Sequence, residues 1–358
     1  MTSATLPDEL STHNLRRRAL QVAGLLVVLG LIAWFAPGLG EVREKLRGVD
    51  PAWLGLGVLL EIASSASYVL MFRPIFCRSM PWKLSQEISW SEVGVGSIVP
   101  ASGIGGLALG AWVLGQAGMP AETIARRSVA FFLIKSSINF VLVAVLGFAM
   151  ALGLGPDLSL WLTLLPAVLA TLLIAAVLLV PRLGPGPDPS AVEGKLRVGF
   201  AHARGALVTG VGEAVAVVRS GTWMAIAGSI GYYAFDNAVL WATFRAFDQT
   251  IPVTVLLMGY LIGQLGGLLP LPGGIGGIDG GLIGTLVVYG APAAATATAV
   301  LAYRVILFWV PLIGGGIAFS MLRRDLGKLD SKEVCTRAAT VTPPPSARSR
   351  AAEPARSR

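Results

Sequence analysis

Apolar residues fall into seven long runs, at about 19–37, 52–72, 129–152, 160–180, 223–244, 253–269 and 295–321. Most approach the roughly 20 residues that one helix needs to cross a hydrocarbon core. The expected fold is therefore all-α, a polytopic integral membrane helix bundle. Two stretches interrupt the pattern with helix breakers, the first over 91–118 and the second over 269–281. Gly costs about 1 and Pro about 3 kcal/mol inside a helix. At membrane depth, broken backbone is tolerated only where protein buries it or a wet cavity borders it.

The two stretches are twins. Val99-Pro100-Ala101-Ser102-Gly103-Ile104-Gly105-Gly106 lies on Leu271-Pro272-Gly273-Gly274-Ile275-Gly276-Gly277, with Gly103 matching Gly274 at an offset of 171 (274 − 103). Further on, Gly118-Met119-Pro120 matches Gly290-Ala291-Pro292 at 172 (290 − 118). An internal repeat with two broken or re-entrant segments is expected.

The segment 182–221 changes register. Pro181, Pro185, Pro187 and Pro189 break helices there, and Arg182, Lys195, Arg197, Arg204 and Arg219 make it basic; its later half fits an amphipathic helix at the headgroups. This divides the chain into a basic tail at 1–18, a membrane domain at 19–321 with 182–221 as a basic loop, and a basic, disordered tail at 322–358. Arg16, Arg17 and Arg18 precede the first run and nine basic residues follow Leu322, which places both termini in the cytoplasm. Seven runs with both termini on one side require an even number of crossings. The first glycine stretch is expected to re-enter and the second to cross, giving about eight spans.

Composition agrees: 54% hydrophobic, 13% charged and a mean hydropathy of +0.71 put the 358-residue chain outside the soluble globular range. The net charge of +8 reflects loops and tails rather than a nucleic-acid surface. Two cysteines, Cys77 near a helix end and Cys335 in the tail, have the pattern neither of a disulfide framework nor of a zinc site. His13 and His202 fall in polar segments; no Ser-His-Asp set, HExxH motif or metal-spaced acid cluster occurs. No metal, cofactor or enzyme activity is expected.

Ionisable residues at membrane depth are functional candidates by default, since burying each one costs about 2.5–3.5 kcal/mol on insertion scales. They are Glu61, Lys135, Asp236, Asp279 and Arg304, with Glu92 and Arg126-Arg127 near boundaries. A purely structural reading pairs Lys135 with Glu61 or Asp236, and Arg304 with Asp279. The repeat favours function. Moved by 172, Lys135 lands on position 307, one turn from Arg304, so each glycine motif precedes a helix carrying one cation, and the two helices are expected to run in opposite directions. An inverted-repeat transporter would offer a cation to an anionic ligand in this way. Helix N-termini near Gly103, Gly105, Gly106, Gly274, Gly276 and Gly277 would add anion affinity.

Three segments carry a likeness to a known family: Ile98 to Gly106, Leu271 to Asp279 and Tyr303-Arg304-Val305-Ile306-Leu307-Phe308-Trp309-Val310-Pro311. Over roughly 19–321 the sequence resembles the lysylphosphatidylglycerol synthase transmembrane-region family, a group that includes flippase-like proteins. The resemblance implies a membrane domain of eight helices or a similar number. It would be related to the lipid-flipping half of bacterial multiple peptide resistance factors, which moves aminoacylated phosphatidylglycerol between leaflets. Neither an aminoacyl-transferase domain nor lysyl-phosphatidylglycerol synthesis is expected. The family often has an acid and an arginine after the first motif, where this chain has Leu107-Ala108-Leu109-Gly110, and its common second-motif glutamate is here Asp279.

The expected function is translocation or presentation of an anionic lipid or lipid-linked intermediate in the bacterial inner membrane. Lys135 and Arg304 would hold the head group, with Asp236, Asp279 and Glu61 as counter-ions, proton carriers or binders of a cationic portion. Gly103, Gly105, Gly106, Pro272, Gly273, Gly274, Gly276 and Gly277 would shape the site. Membrane lipids are the expected partners. The alternative is a non-transporting membrane scaffold partnering an envelope-lipid or glycosyltransferase enzyme. The sequence leaves the oligomeric state open.

Overall fold

The structure is a computed structural model that describes residues 14–17, 19–21, 23–24, 48–98, 104–184, 194–220, 222–268 and 276–326. The elements are α1 (Pro51–Phe76), α2 (Trp82–Ile98), α3 (Ile104–Gln116), α4 (Ala121–Ala151), α5 (Leu160–Leu179), α6 (Lys195–Arg219), α7 (Trp223–Ala246), α8 (Val253–Gly263), α9 (Gly277–Val288) and α10 (Ala293–Leu326). Four helices, α1, α4, α5 and α10, are long and apolar enough to cross a membrane, and α7 makes a fifth if it is joined to the bent end of α6. The multi-pass helical membrane fold expected from the hydropathy pattern is present. Most of the first apolar run, residues 99–103 and 269–275, and the tail beyond 326 lie outside the described residues.

Contacts fix the direction of each helix. A Cβ at Gly228 would lie 2.7 Å from Met71 N and Ser67 O, and one at Gly57 would lie 3.8 Å from Val239, so α1 and α7 are antiparallel. One end of the bundle is joined by Arg73 Nε donating to the Met80 carbonyl at 2.8 Å and by Lys83 on Asp325 at 2.6 Å. Arg78 donating to Thr222 and Arg127 donating to the Phe76 carbonyl join the same end. At the other end, Asp50 N donates to the Ala246 carbonyl at 2.9 Å and the Tyr289 hydroxyl donates to the Leu162 carbonyl. The first end holds Arg73, Arg78, Lys83, Arg126, Arg127, Arg182, Arg323 and Arg324 with the acids Glu87, Glu122, Glu213 and Asp325, a basic excess, whereas the opposite end holds Asp50, Asp157 and Asp248 with Arg245.

Both glycine stretches form antiparallel helical hairpins. In the first, a Cβ at Gly106 would sit 2.3 Å from the Glu92 carbonyl oxygen and one at Gly110 would overlap the Glu92 carboxylate, so α3 folds back along α2. In the second, Gly259 faces Leu286, Gly263 faces Leu282 and Gly266 faces Gly277. The sequence reading expected this second stretch to cross; it folds back on itself instead. The run at 253–269, counted there as a whole span, is one arm of this hairpin, and α8 itself has only 11 residues. Hydropathy alone cannot separate a short re-entrant arm from a full span when a glycine break hides where the helix stops.

The chain order is long helix, hairpin, long helix, twice over: α1, α2–α3, α4 and then α7, α8–α9, α10. The first hairpin enters from the basic end and the second from the opposite end. As expected, α4 and α10, which carry Lys135 and Arg304, run in opposite directions. Between the repeats, α5 is lightly packed, with 17% of its most apolar window buried against 33–39% for the other three spans. From there α6 lies across the basic end, since its part over Leu207–Arg219 makes an angle of 103° with α7. Arg126 Nε holds it through Glu213 at 3.2 Å.

Two apolar clusters form. One, around Phe72, Phe76, Ile88, Leu109 and Phe131, surrounds the first hairpin; the other, around Leu240, Phe244, Met258, Leu261 and Leu286, surrounds the second. Polar residues of α1 and α7 lie at the seam between them. At the crossing of α2 and α10, a Cβ at Gly94 would come 2.8 Å from both the Gly315 Cα and the Pro311 carbonyl oxygen, while Gly96 has open space around it. Overpacking costs about 1–3 kcal/mol. Gly94→Leu should therefore lower the thermal unfolding midpoint in detergent, whereas Gly96→Ala should leave it unchanged or raise it.

Candidate functional site

Helical periodicity places Glu61, Ser64, Ser65 and Tyr68 on one face of α1, and Tyr232 and Asp236 on one face of α7. The antiparallel register brings these faces together, with Ser64 Oγ donating to the Tyr232 carbonyl at 3.1 Å. Glu61, Asp236 and Glu92 are 5%, 5% and 2% exposed, so the site is a packed charged layer rather than a surface patch.

Asp236 is held from the second hairpin and from α10: the Tyr303 hydroxyl donates to its Oδ1 at 2.8 Å, and the Tyr260 hydroxyl donates to Oδ2. One residue further along α10, Arg304 meets Asp279 through Nε at 2.7 Å and Nη2 at 2.5 Å, both on Oδ1. The other oxygen of Asp279 accepts the Gly276 N–H at 3.1 Å, capping α9. Gly276 has φ 87°, a conformation that glycine adopts without strain. A carboxylate in the first turn also suits the helix dipole. Asp279 thus fixes the start of α9 and pairs the one arginine of the layer.

The first hairpin has its own version. The Tyr68 hydroxyl donates to Glu92 Oε2 at 3.0 Å, and Glu92 Oε1 has no hydrogen-bond partner among the described residues. Lys135 Nζ lies 4.4 Å from the Tyr232 ring centroid and 5.6 Å from that of Tyr68, a cation–π clamp. Glu92 and Asp236 are the carboxylates within its electrostatic range. The expected structural pairing of Arg304 with Asp279 is present. That of Lys135 with Glu61 or Asp236 is replaced by the aromatic clamp, because the side chain projects between two tyrosine faces.

The structure brings Glu61, Lys135, Asp236, Asp279 and Arg304 into one layer. Of the glycines, Gly105 lies in the first turn of α3, while Gly106 and Gly277 stand where hairpin arms touch. Gly103, Pro272, Gly273 and Gly274 lie outside the described residues. Glu92 is a site residue that the sequence reading left at a boundary, and Tyr68, Tyr232, Tyr260 and Tyr303 were missed. A signal was available: all six tyrosines, Tyr68, Tyr232, Tyr233, Tyr260, Tyr289 and Tyr303, occur in apolar stretches, and a buried phenol needs a hydrogen-bond partner.

A model of the lysylphosphatidylglycerol synthase TM region matches residues 21–315, a span that includes both hairpins and every charged residue of the layer. The chain belongs to this family. Two UPF0104 membrane proteins of Methanothermobacter thermautotrophicus are similar to it over most of their length. One is 25% identical over 312 residues, covering 80% of this chain and 91% of the relative. The other is 28% identical over 334 residues, covering 86% and 93%. The family assigns the membrane region and leaves the chemistry of the layer to the geometry.

Hydrogen bonds to a charged group are worth about 1.5–3 kcal/mol. Tyr303→Phe and Tyr260→Phe should each lower stability by about that amount in detergent unfolding. The double variant should depart from the sum of the two, because both hydroxyls act on Asp236.

Proposed function

We propose that this chain is a flippase-like membrane protein that translocates, or presents to one leaflet, an anionic lipid or lipid-linked intermediate. The observation that carries the reading is the pair of glycine hairpins entering from opposite ends, each beside one cation on a long helix: Lys135 for the first and Arg304 for the second. Inverted repeats that meet near the bilayer midplane suit alternating access, in which one central site opens to either side. Positive charge at one end supports a cytoplasmic placement of that end, and the bacterial inner membrane is the setting proposed.

The chemistry is exchange of ion partners. A lipid phosphate approaching Arg304 competes with Asp279, and a guanidinium can grip phosphate through two parallel hydrogen bonds. Lys135, which donates no hydrogen bond among the described residues, acts as a point charge on its aromatic shelf. Asp279, relieved of its partner, remains at the α9 N-terminus, where the helix dipole favours a carboxylate. No bond in the lipid is made or broken in this reading.

The test is leaflet exchange of a fluorescent phosphatidylglycerol in proteoliposomes of purified protein. Arg304→Ala and Lys135→Ala should each slow exchange at least about tenfold, equivalent to about 1.4 kcal/mol of lost stabilisation. Arg304→Lys should recover part of the rate. Wild-type exchange by the two alanine variants, with monodispersity intact, overturns the assignment.

A further inference from the structure

Among the described residues, Glu61 stands apart within the charged layer. It is 5% exposed, its Oε2 has no hydrogen-bond partner, and no ion pair reaches its carboxylate. Across the α1–α7 seam, Gly57 meets Val239 and Ser64 meets Tyr232, so the register sets Glu61 against Asp236. Asn237 Oδ1, next along α7, is also buried and accepts no hydrogen bond among the described residues.

The groups facing this pair come from every packed element. Tyr232 on α7 and Tyr303 on α10 are in electrostatic range of Glu61. Asp236 is in range of Lys135 on α4 and Arg304 on α10, and is held by Tyr260 on α8. Beyond these lie Glu92 on α2, beside Lys135, and Asp279 on α9, bound to Arg304. Four carboxylates therefore share two cations. Arg304 is engaged by Asp279 and Lys135 is shared between Asp236 and Glu92, which leaves Glu61 without compensating charge. An isolated buried carboxylate is strongly unfavourable, and two adjacent carboxylates commonly meet that penalty by sharing a proton.

We propose that Glu61 and Asp236 together form a binding site for one exchangeable proton, and that occupancy of this site is linked to the anionic lipid, so that lipid and proton move together. The balance is direct. A phosphate that engages Lys135 and Arg304 withdraws positive charge from the carboxylates, and one proton from the aqueous phase on that side joins the Glu61–Asp236 pair. When the layer opens to the other side, the phosphate leaves, the cations return to the carboxylates and the proton departs to that aqueous phase. Linkage requires the effect to be reciprocal, so that a bound proton strengthens lipid binding.

The coupling rests on the transport reading, whereas the proton site does not, and two measurements separate them. The first is infrared spectroscopy of the purified protein with phosphatidylglycerol bound, near neutral pH. The difference between wild type and Glu61→Gln should show the loss of one protonated-carboxyl C=O stretch, and Glu61→Asp should retain one. A difference spectrum without that loss overturns the site. The second is leaflet distribution of fluorescent phosphatidylglycerol in proteoliposomes under an imposed pH gradient. One proton per lipid predicts about tenfold accumulation on the alkaline side per pH unit at equilibrium. The response should be absent in Glu61→Gln and present in Glu61→Asp. A wild-type distribution indifferent to the gradient overturns the coupling. If wild type moves no lipid at all, the transport reading falls with it, and the carboxyl stretch still decides the proton site.

Discussion

Where α2 crosses α10, the backbones at Gly94 and Gly315 face each other with no side chain between them, and the rest of the architecture depends on contacts of this kind. Lipid tails are as apolar as leucine, so hydrophobic burial gives helices little reason to associate inside a membrane; close packing has to supply it. Gly228 against Met71 seals the α1–α7 seam in the same manner. Gly106 and Gly110 let α3 lie on Glu92, and Gly266 and Gly277 let the second hairpin close. A side chain at any of these points would push an arm outward. Because a hairpin buries its own arms against each other, short helices can persist at a depth where neither would stand alone.

This packing also explains where charge can reside. Glu92 keeps its place because Gly110 leaves room beside it, and Asp279 keeps its place because it caps α9 while binding Arg304. Charges of the layer are thus attached to the hairpins' own construction, Glu92 on the first and Asp279 on the second, with the two cations arriving on the long helices that follow. Tyrosine completes the arrangement as both a hydroxyl donor and an aromatic face: Tyr303 holds Asp236, Tyr68 holds Glu92, and the ring of Tyr232 carries Lys135. Removing one partner of such a pair leaves a buried charge uncompensated, a loss of about 3–5 kcal/mol in proteins generally.

Much of this was legible in the sequence. The apolar runs gave the helices, the offset of the two glycine motifs gave the repeat, and the charges within apolar runs gave Glu61, Lys135, Asp236, Asp279 and Arg304. The pairing of Arg304 with Asp279 followed from opposite charge at similar depth. Hydropathy could not show that 253–269 is half of a hairpin, since a half-depth arm and a whole span are equally apolar. Nor could it show that Lys135 would rest on tyrosine rings, because that depends on the register of α1 against α7, which is set by contacts such as Gly228 on Met71. Glu92 was placed at a boundary because a broken helix has no sequence mark for which of its two flanks lies deeper.

The lightly packed α5 has a role that follows from parity. The first repeat starts and finishes at the same end of the bundle, because two crossings return the chain to where it began and a hairpin adds none. A second copy appended directly would start from that same end and come out as a translated duplicate, with both hairpins opening toward one leaflet. One further traverse turns the second copy upside down, and α5 supplies it. Its sequence therefore needs only to be greasy and long enough, which is why Leu160–Leu179 carries no charge and so little of it touches the bundle.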